Sequence, residues 1–124
     1  MPIFVVHEHH SKKLHWDLRL EKQGVLKSWA VPKTPPLKKG IKRLAIEVED
    51  HPLSYKDFEG IIPKGSYGAG TVKIWDSGNY ETIEWKDKIK IEIEFQGRKL
   101  KGKYLLIKTK FPKNPEKSWL FFKI

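Results

Sequence analysis

The chain has no cysteine, which excludes disulfides and thiolate metal ligands. Any bound metal must therefore use His nitrogen and carboxylate oxygen. The absence also fits a reducing compartment, and a cytoplasmic location is expected. No stretch approaches the ~18 consecutive apolar residues of a membrane-crossing helix, so no membrane partner is expected. No basic segment precedes the opening Met1-Pro2-Ile3-Phe4, so no secretory leader is read there. There is no internal repeat, low-complexity tract or long linker, and no long helical pattern. At 124 residues the chain is too short for two full cores, and one domain over residues 1–124 is expected.

A hydrophobic fraction of 39% with 12% aromatics is enough to fill one core. Lys and Arg outnumber Asp and Glu by 25 to 15, for a net charge of +10. A basic domain suits a polyanion, with nucleic acid first and an anionic membrane surface second. The simpler reading is a solvated, Lys-rich surface, and charge alone does not separate the two.

The dominant pattern has period two, the mark of strands. From Leu14 to Glu21, Leu14, Trp16, Leu18 and Leu20 alternate with His15, Asp17, Arg19 and Glu21. From Lys42 to His51, Leu44, Ile46 and Val48 oppose Arg43, Glu47, Glu49 and His51. From Lys88 to Phe95, Ile89, Ile91, Ile93 and Phe95 alternate with Lys90, Glu92 and Glu94. Further strands are expected at Ile3–His9, Val25–Val31, Gly70–Trp75, Asn79–Trp85, Lys101–Lys108 and Ser118–Ile124. Turn signals stand at Lys22-Gln23-Gly24, Pro35 to Gly40, Ser77-Gly78-Asn79, Gln96-Gly97 and Pro112 to Pro115. A short helical turn fits Ser54–Phe58. Together these predict an all-β or nearly all-β barrel of about eight strands.

Four of the five histidines, His7, His9, His10 and His15, fall within nine residues. On a strand, His15, Asp17 and Arg19 share one face. His9 can fold back beside His15 across Ser11-Lys12-Lys13. Two imidazoles and a carboxylate form a three-ligand set with open positions, suited to Mn, Fe(II), Zn or similar ions. Arg19 adds a donor matched to phosphate. A metal site beside a phosphate clamp is minimal equipment for phosphoryl transfer, and it is expected on the barrel's inner wall. The simpler reading is the polar face of an ordinary strand. His51 can serve as general acid or phosphate ligand, and Tyr55 can donate its hydroxyl or merely pack at a rim. The glycine-rich Pro63–Gly70 segment matches neither a P-loop nor a dinucleotide fingerprint, and reads as a tight connection. Lys33 can meet a backbone phosphate. Trp29 can stack a base or fill the core.

Several of these segments in order resemble the 3′-phosphoesterase domain of bacterial DNA ligase D and its stand-alone bacterial and archaeal relatives. They are Phe4-Val5-Val6, His9, Leu14 to Glu21, Leu26 to Lys33, Lys42 to Ala45, Glu49 to Leu53 with Tyr55, Phe58-Glu59-Gly60, Tyr67 to Val72 and Trp75-Asp76. The resemblance implies a metal-dependent enzyme, typically using Mn2+, with Zn2+, Co2+ or similar ions as alternatives. It implies removal of a terminal 3′ ribonucleoside to leave a 3′ phosphate, then removal of that phosphate to leave a 3′ hydroxyl. It assigns metal binding to His9, His15 and Asp17, and catalysis to His15, Arg19, His51 and Tyr55. Arg19 and His51 also contact phosphate, with Lys33, Arg43 and Glu49 in support. The implied partners are DNA or RNA-tipped primer 3′ ends. Ligase D is a large fusion, and this chain carries no ligase or polymerase module, so partnership with a separate ligase and polymerase would be in trans. The chain starts a few residues before its first strand and lacks the N-terminal arm of some relatives, so a shifted balance between diesterase and monoesterase activity is expected.

Two other functions compete. A non-catalytic basic barrel can hold single strands through Lys, Arg and Trp, but it has no need of Asp17 among phosphate contacts. A phosphatase for small metabolites shares the chemistry and differs in substrate.

Overall fold

The computed structural model describes residues 1–109 and 116–124. The turn expected at Pro112 to Pro115 lies outside the described residues. Among the described residues, nine strands form one antiparallel sheet: β1 (Ile3–His10), β2 (Leu14–Lys22), β3 (Val25–Val31), β4 (Lys42–Pro52), β5 (Gly60–Ile62), β6 (Gly70–Lys86), β7 (Lys90–Gln96), β8 (Lys101–Lys108) and β9 (Ser118–Lys123). The order β1-β2-β3-β4-β9-β8-β7-β6 closes through a β1–β6 pairing, so eight strands make a barrel and β5 adds to the edge of β6. A 3-10 helical turn at Leu53–Asp57 sits where a helical turn is expected. Among the described residues, no helix is long and apolar enough to cross a membrane.

The two strands expected at Gly70–Trp75 and Asn79–Trp85 are one strand of 17 residues. Its first half pairs with β1 and its second half with β7, and this shared length closes the barrel. Gly78 therefore makes no turn. A side chain there would collide with the Gln96 carbonyl, so glycine is needed for close backbone approach. The strand expected from Lys88 starts instead at Lys90, because Lys88 takes a left-handed φ of 61° in a turn closed by Ile89 N–H to Lys86 O. Ile89, expected on the apolar face, is 61% exposed.

The interior is filled from all eight barrel strands, including Phe4, Leu18, Trp29, Ala45, Tyr80, Ile93, Tyr104 and Phe121. Aromatic rings meet edge-on at its centre, with Phe4 and Phe95 centroids 4.6 Å apart. The two core tyrosines bond backbone carbonyls, Tyr80 to Glu21 and Tyr104 to Pro36, and burial pushes both hydroxyls up to about 12. Asp76, also buried, accepts backbone N–H bonds from Ser77, Arg98, Lys99 and Leu100, anchoring the β7–β8 turn.

An interior packed this densely leaves no room for a polar site. Trp16, Leu18 and Leu20 point into it, so His15, Asp17 and Arg19 lie on the opposite, outer face of the wall. The expectation of an inner-wall site is thereby corrected. Asp17 and Arg19 are nonetheless buried, because the end of β4, the 3-10 turn and the segment from Ile62 to Ala69 cover this face.

Candidate active site

Antiparallel register sets His9 opposite His15 and His7 opposite Asp17 between β1 and β2, and Arg19 opposite Ser28 between β2 and β3. His9, His15 and Asp17 each offer a ligand atom, and the three atoms lie within 4.8 Å of one another. His9 Nδ1 is 3.5 Å and His15 Nε2 is 3.3 Å from the same Asp17 Oδ2. The other nitrogen of each ring faces a backbone carbonyl: His9 Nε2 meets Gly68 O at 2.7 Å and His15 Nδ1 meets Lys13 O at 3.2 Å. Donation to those carbonyls leaves a lone pair on each inward nitrogen, both aimed at a carboxylate oxygen. Three electron-rich atoms brought together in this way fit a divalent cation. The hydrogen bond to the same carboxylate raises the His15 pKa above its ordinary value. Burial pushes the Asp17 carboxyl up, but contacts with His15, Arg19 and His9 outweigh it and hold the carboxyl below its ordinary value.

Arg19 is gripped on several sides. Its Nε donates to His7 Nδ1 at 3.0 Å, and its Nη1 lies 2.8 Å from Ser28 Oγ and 3.0 Å from His51 Nδ1. The Ser28 hydroxyl in turn donates a hydrogen bond to Leu26 O. Arg19 Nη2 stands 3.5 Å from Asp17 Oδ2. Tyr55 covers the guanidinium, whose Cζ is 5.1 Å from the ring centroid, and itself stacks on Phe58 at 4.8 Å. His51 Nδ1 also lies 3.1 Å from Glu49 O, so it can accept from Arg19 or donate to that carbonyl; a guanidinium only donates, and accepting from it leaves Nδ1 bare and puts the proton on Nε2. Burial and then Arg19 lower the His51 pKa, which favours that neutral ring.

His51 reaches Arg19 through a β-bulge. Leu26 pairs with His51 and Ser28 with Val48, so two residues of β4 oppose one of β3. Strict alternation groups His51 with Arg43, Glu47 and Glu49; the bulge instead turns it to the side of Val48, onto the outer face. Arg43 stays on the side of Ala45, and its Nε donates to Thr34 O at 2.8 Å, away from the cluster. Lys33 is exposed and is not among the residues that line the cavity. Trp29 is core, packed edge-on against Trp119 at 5.9 Å. The cavity, of about 900 Å3, is lined by His9, His15, Asp17, Arg19, His51 and Tyr55, together with Glu49 and the glycine-rich segment.

Three participants escaped the sequence reading. His7 is a fully buried neighbour of Arg19, and burial followed by Arg19 lowers its pKa to about 4. It shares the odd-numbered face of β1 with His9, a signal that was available. Ser28 has only its register as a clue. Gly68 lies in the segment read as a plain connection, and its contribution is a carbonyl that no side-chain pattern reveals.

Residues 7–108 match the family described as the DNA ligase D 3′-phosphoesterase domain. The chain is similar to the multifunctional non-homologous end joining DNA repair protein LigD of Mycobacterium tuberculosis, with 50% identity over 86% of this chain and 14% of that protein. It is 46% identical to LigD of Mycolicibacterium smegmatis over 94% of this chain and 16% of the relative. For Pseudomonas aeruginosa LigD the identity is 45% over 97% of this chain and 15% of the relative. The chain thus spans about one-seventh of the length of these relatives. With an aligned stretch of this length and identity, the chain belongs to the DNA ligase D 3′-phosphoesterase domain family.

Proposed function

We propose that residues 1–124 act as one metal-dependent phosphoesterase domain that repairs the 3′ ends of nucleic-acid strands. The observation that carries this reading is the convergence of His9 Nδ1, His15 Nε2 and Asp17 Oδ2 beside the Arg19 guanidinium. His9, His15 and Asp17 would hold the ion, which supplies Lewis acidity toward a phosphoryl oxygen when bound. Mn2+ is the expected ion, and Zn2+ and Co2+ suit the same donors.

The chain's own residues bind and orient the phosphate. Arg19 presents a fixed guanidinium to its oxygens, and neutral His51 offers Nε2–H. His7 and Ser28 keep Arg19 from swinging away. Tyr55 shields it from water, which strengthens its attraction for an anion. Hydrolysis joins a water oxygen to phosphorus and breaks the bond to the ester oxygen, which leaves with a proton. On a strand ending in a ribonucleotide the terminal nucleoside departs first, leaving a 3′ phosphate, and a second hydrolysis leaves a 3′ hydroxyl. Such an end is ready for ligation or extension.

The test is an end-labelled primer carrying one 3′ ribonucleotide, incubated with Mn2+ or with chelator. The expected result is Mn2+-dependent conversion to a 3′ phosphate and then a 3′ hydroxyl, abolished by chelator and by His15→Ala. Full activity under chelation, or in both His15→Ala and Asp17→Ala, contradicts the reading.

A further inference from the structure

The chain has four tyrosines, and three are held by the fold. Tyr80 and Tyr104 are buried with their hydroxyls bonded, and Tyr55 packs against Phe58 and His51. Tyr67 is the exception: its exposure is 103%, and among the described residues its ring has no aromatic or cationic neighbour and its hydroxyl no hydrogen bond. It nevertheless lines the same cavity as Arg19 and His51.

Its position is fixed by the backbone. Ser66 N–H bonds Pro63 O at 3.2 Å and Ala69 N–H bonds Ser66 O at 3.1 Å, so two tight turns follow one another. Gly65 and Gly68, with φ of 87° and 76°, permit them. The next residue, Gly68, carries the carbonyl that meets His9 at 2.7 Å. An aromatic ring wholly in water is thus mounted on a turn, one residue from the carbonyl that meets the candidate metal ligand His9.

We propose that Tyr67 is a stacking platform for the base of the strand's 3′-terminal nucleotide, an inference that rests on the phosphoesterase reading. A terminal phosphate at Arg19 brings its own nucleotide into the cavity that Tyr67 also lines, and the base is the planar, apolar group that this nucleotide offers. Every base has a π-face, so a lone ring selects for a base without selecting which one. Stacking of this kind binds the ground state and transition state alike.

The experiment compares the full chain, Tyr67→Ala and Tyr67→Trp on 3′-phosphorylated oligonucleotides whose terminal sugar carries a base or is abasic. With the base present, Tyr67→Ala should raise KM roughly tenfold with kcat unchanged, and Tyr67→Trp should keep KM low. Removing the base should raise the KM of the unsubstituted chain by a similar factor and leave Tyr67→Ala unaffected. An unchanged KM in Tyr67→Ala, or an equal rise on both substrates, overturns the proposal. If no oligonucleotide is hydrolysed, the phosphoesterase reading falls, and anisotropy of the same labelled strands decides stacking separately. Base-dependent affinity lost in Tyr67→Ala upholds it; base-independent affinity overturns it.

Discussion

Arg19 Nε donates a 3.0 Å hydrogen bond to His7 Nδ1, so an imidazole kept neutral first by burial and then by this cation supports the guanidinium. Arg19 cannot form this bond to a protonated His7, and burial opposes that proton as well. Folding thus lowers the His7 pKa from 6.5 to about 4. The unfolded chain takes up a proton in that window and the folded chain does not. His7 therefore contributes stability that is fully present above pH 6.5 and is lost as pH falls toward 4, up to roughly 3 kcal/mol. In urea titrations of metal-free protein, His7→Gln, which keeps an acceptor but does not titrate, should flatten this dependence. Identical slopes for the two proteins would show that His7 is not the group responsible.

Arg19→Lys keeps the charge and loses the fork. Lysine cannot serve His7, Ser28 and His51 together, so buried acceptors lose their donor. A fall in kcat of at least ~100-fold is expected, with a stability loss of about 2–4 kcal/mol. Steady-state kinetics and denaturant midpoints measure the two effects, and near-wild-type kcat would contradict the role given to the guanidinium.

Gly78 distinguishes the continuous β6 from a turn. Alanine there must push against the Gln96 carbonyl, and about 2–4 kcal/mol of destabilisation is expected. Were Ser77-Gly78-Asn79 a surface turn, thermal denaturation would show almost no change.

Asp76 is placed in the barrel frame, remote from phosphate chemistry. Asp76→Ala strips four backbone N–H groups of their acceptor and should cost about 3 kcal/mol or more, with Asp76→Asn intermediate because it offers one acceptor oxygen. Metal affinity measured on the folded variants should not move; a large drop would place Asp76 in the site's support.

The barrel and the cluster were legible where period two runs unbroken. Alternation in Leu14–Glu21 put His15, Asp17 and Arg19 on one face, and the register across Ser11-Lys12-Lys13 brings His9 to them. Which face is inside was not legible. Both faces of β2 are buried, and only the whole barrel shows that Trp16, Leu18 and Leu20 fill the interior. His51 was found by type, but its route through the bulge is hidden, since one extra residue reverses every side chain beyond it. Trp29 shows another limit: an aromatic beside lysines can stack a base or fill the core, and packing against Trp119 settles it as core. Gly68 acts through its backbone, where residue identity carries no signal.

Calorimetric titration of Mn2+ into the chelator-stripped chain tests the central claim most directly. One ion should bind per chain, more weakly as pH falls and a proton competes for His15, and Asp17→Asn and His15→Ala should lose that binding. Saturation at ~100 times Kd should also stabilise the unsubstituted chain by about 2.7 kcal/mol. Failure to bind any divalent ion, or undiminished binding in both variants, would contradict the account.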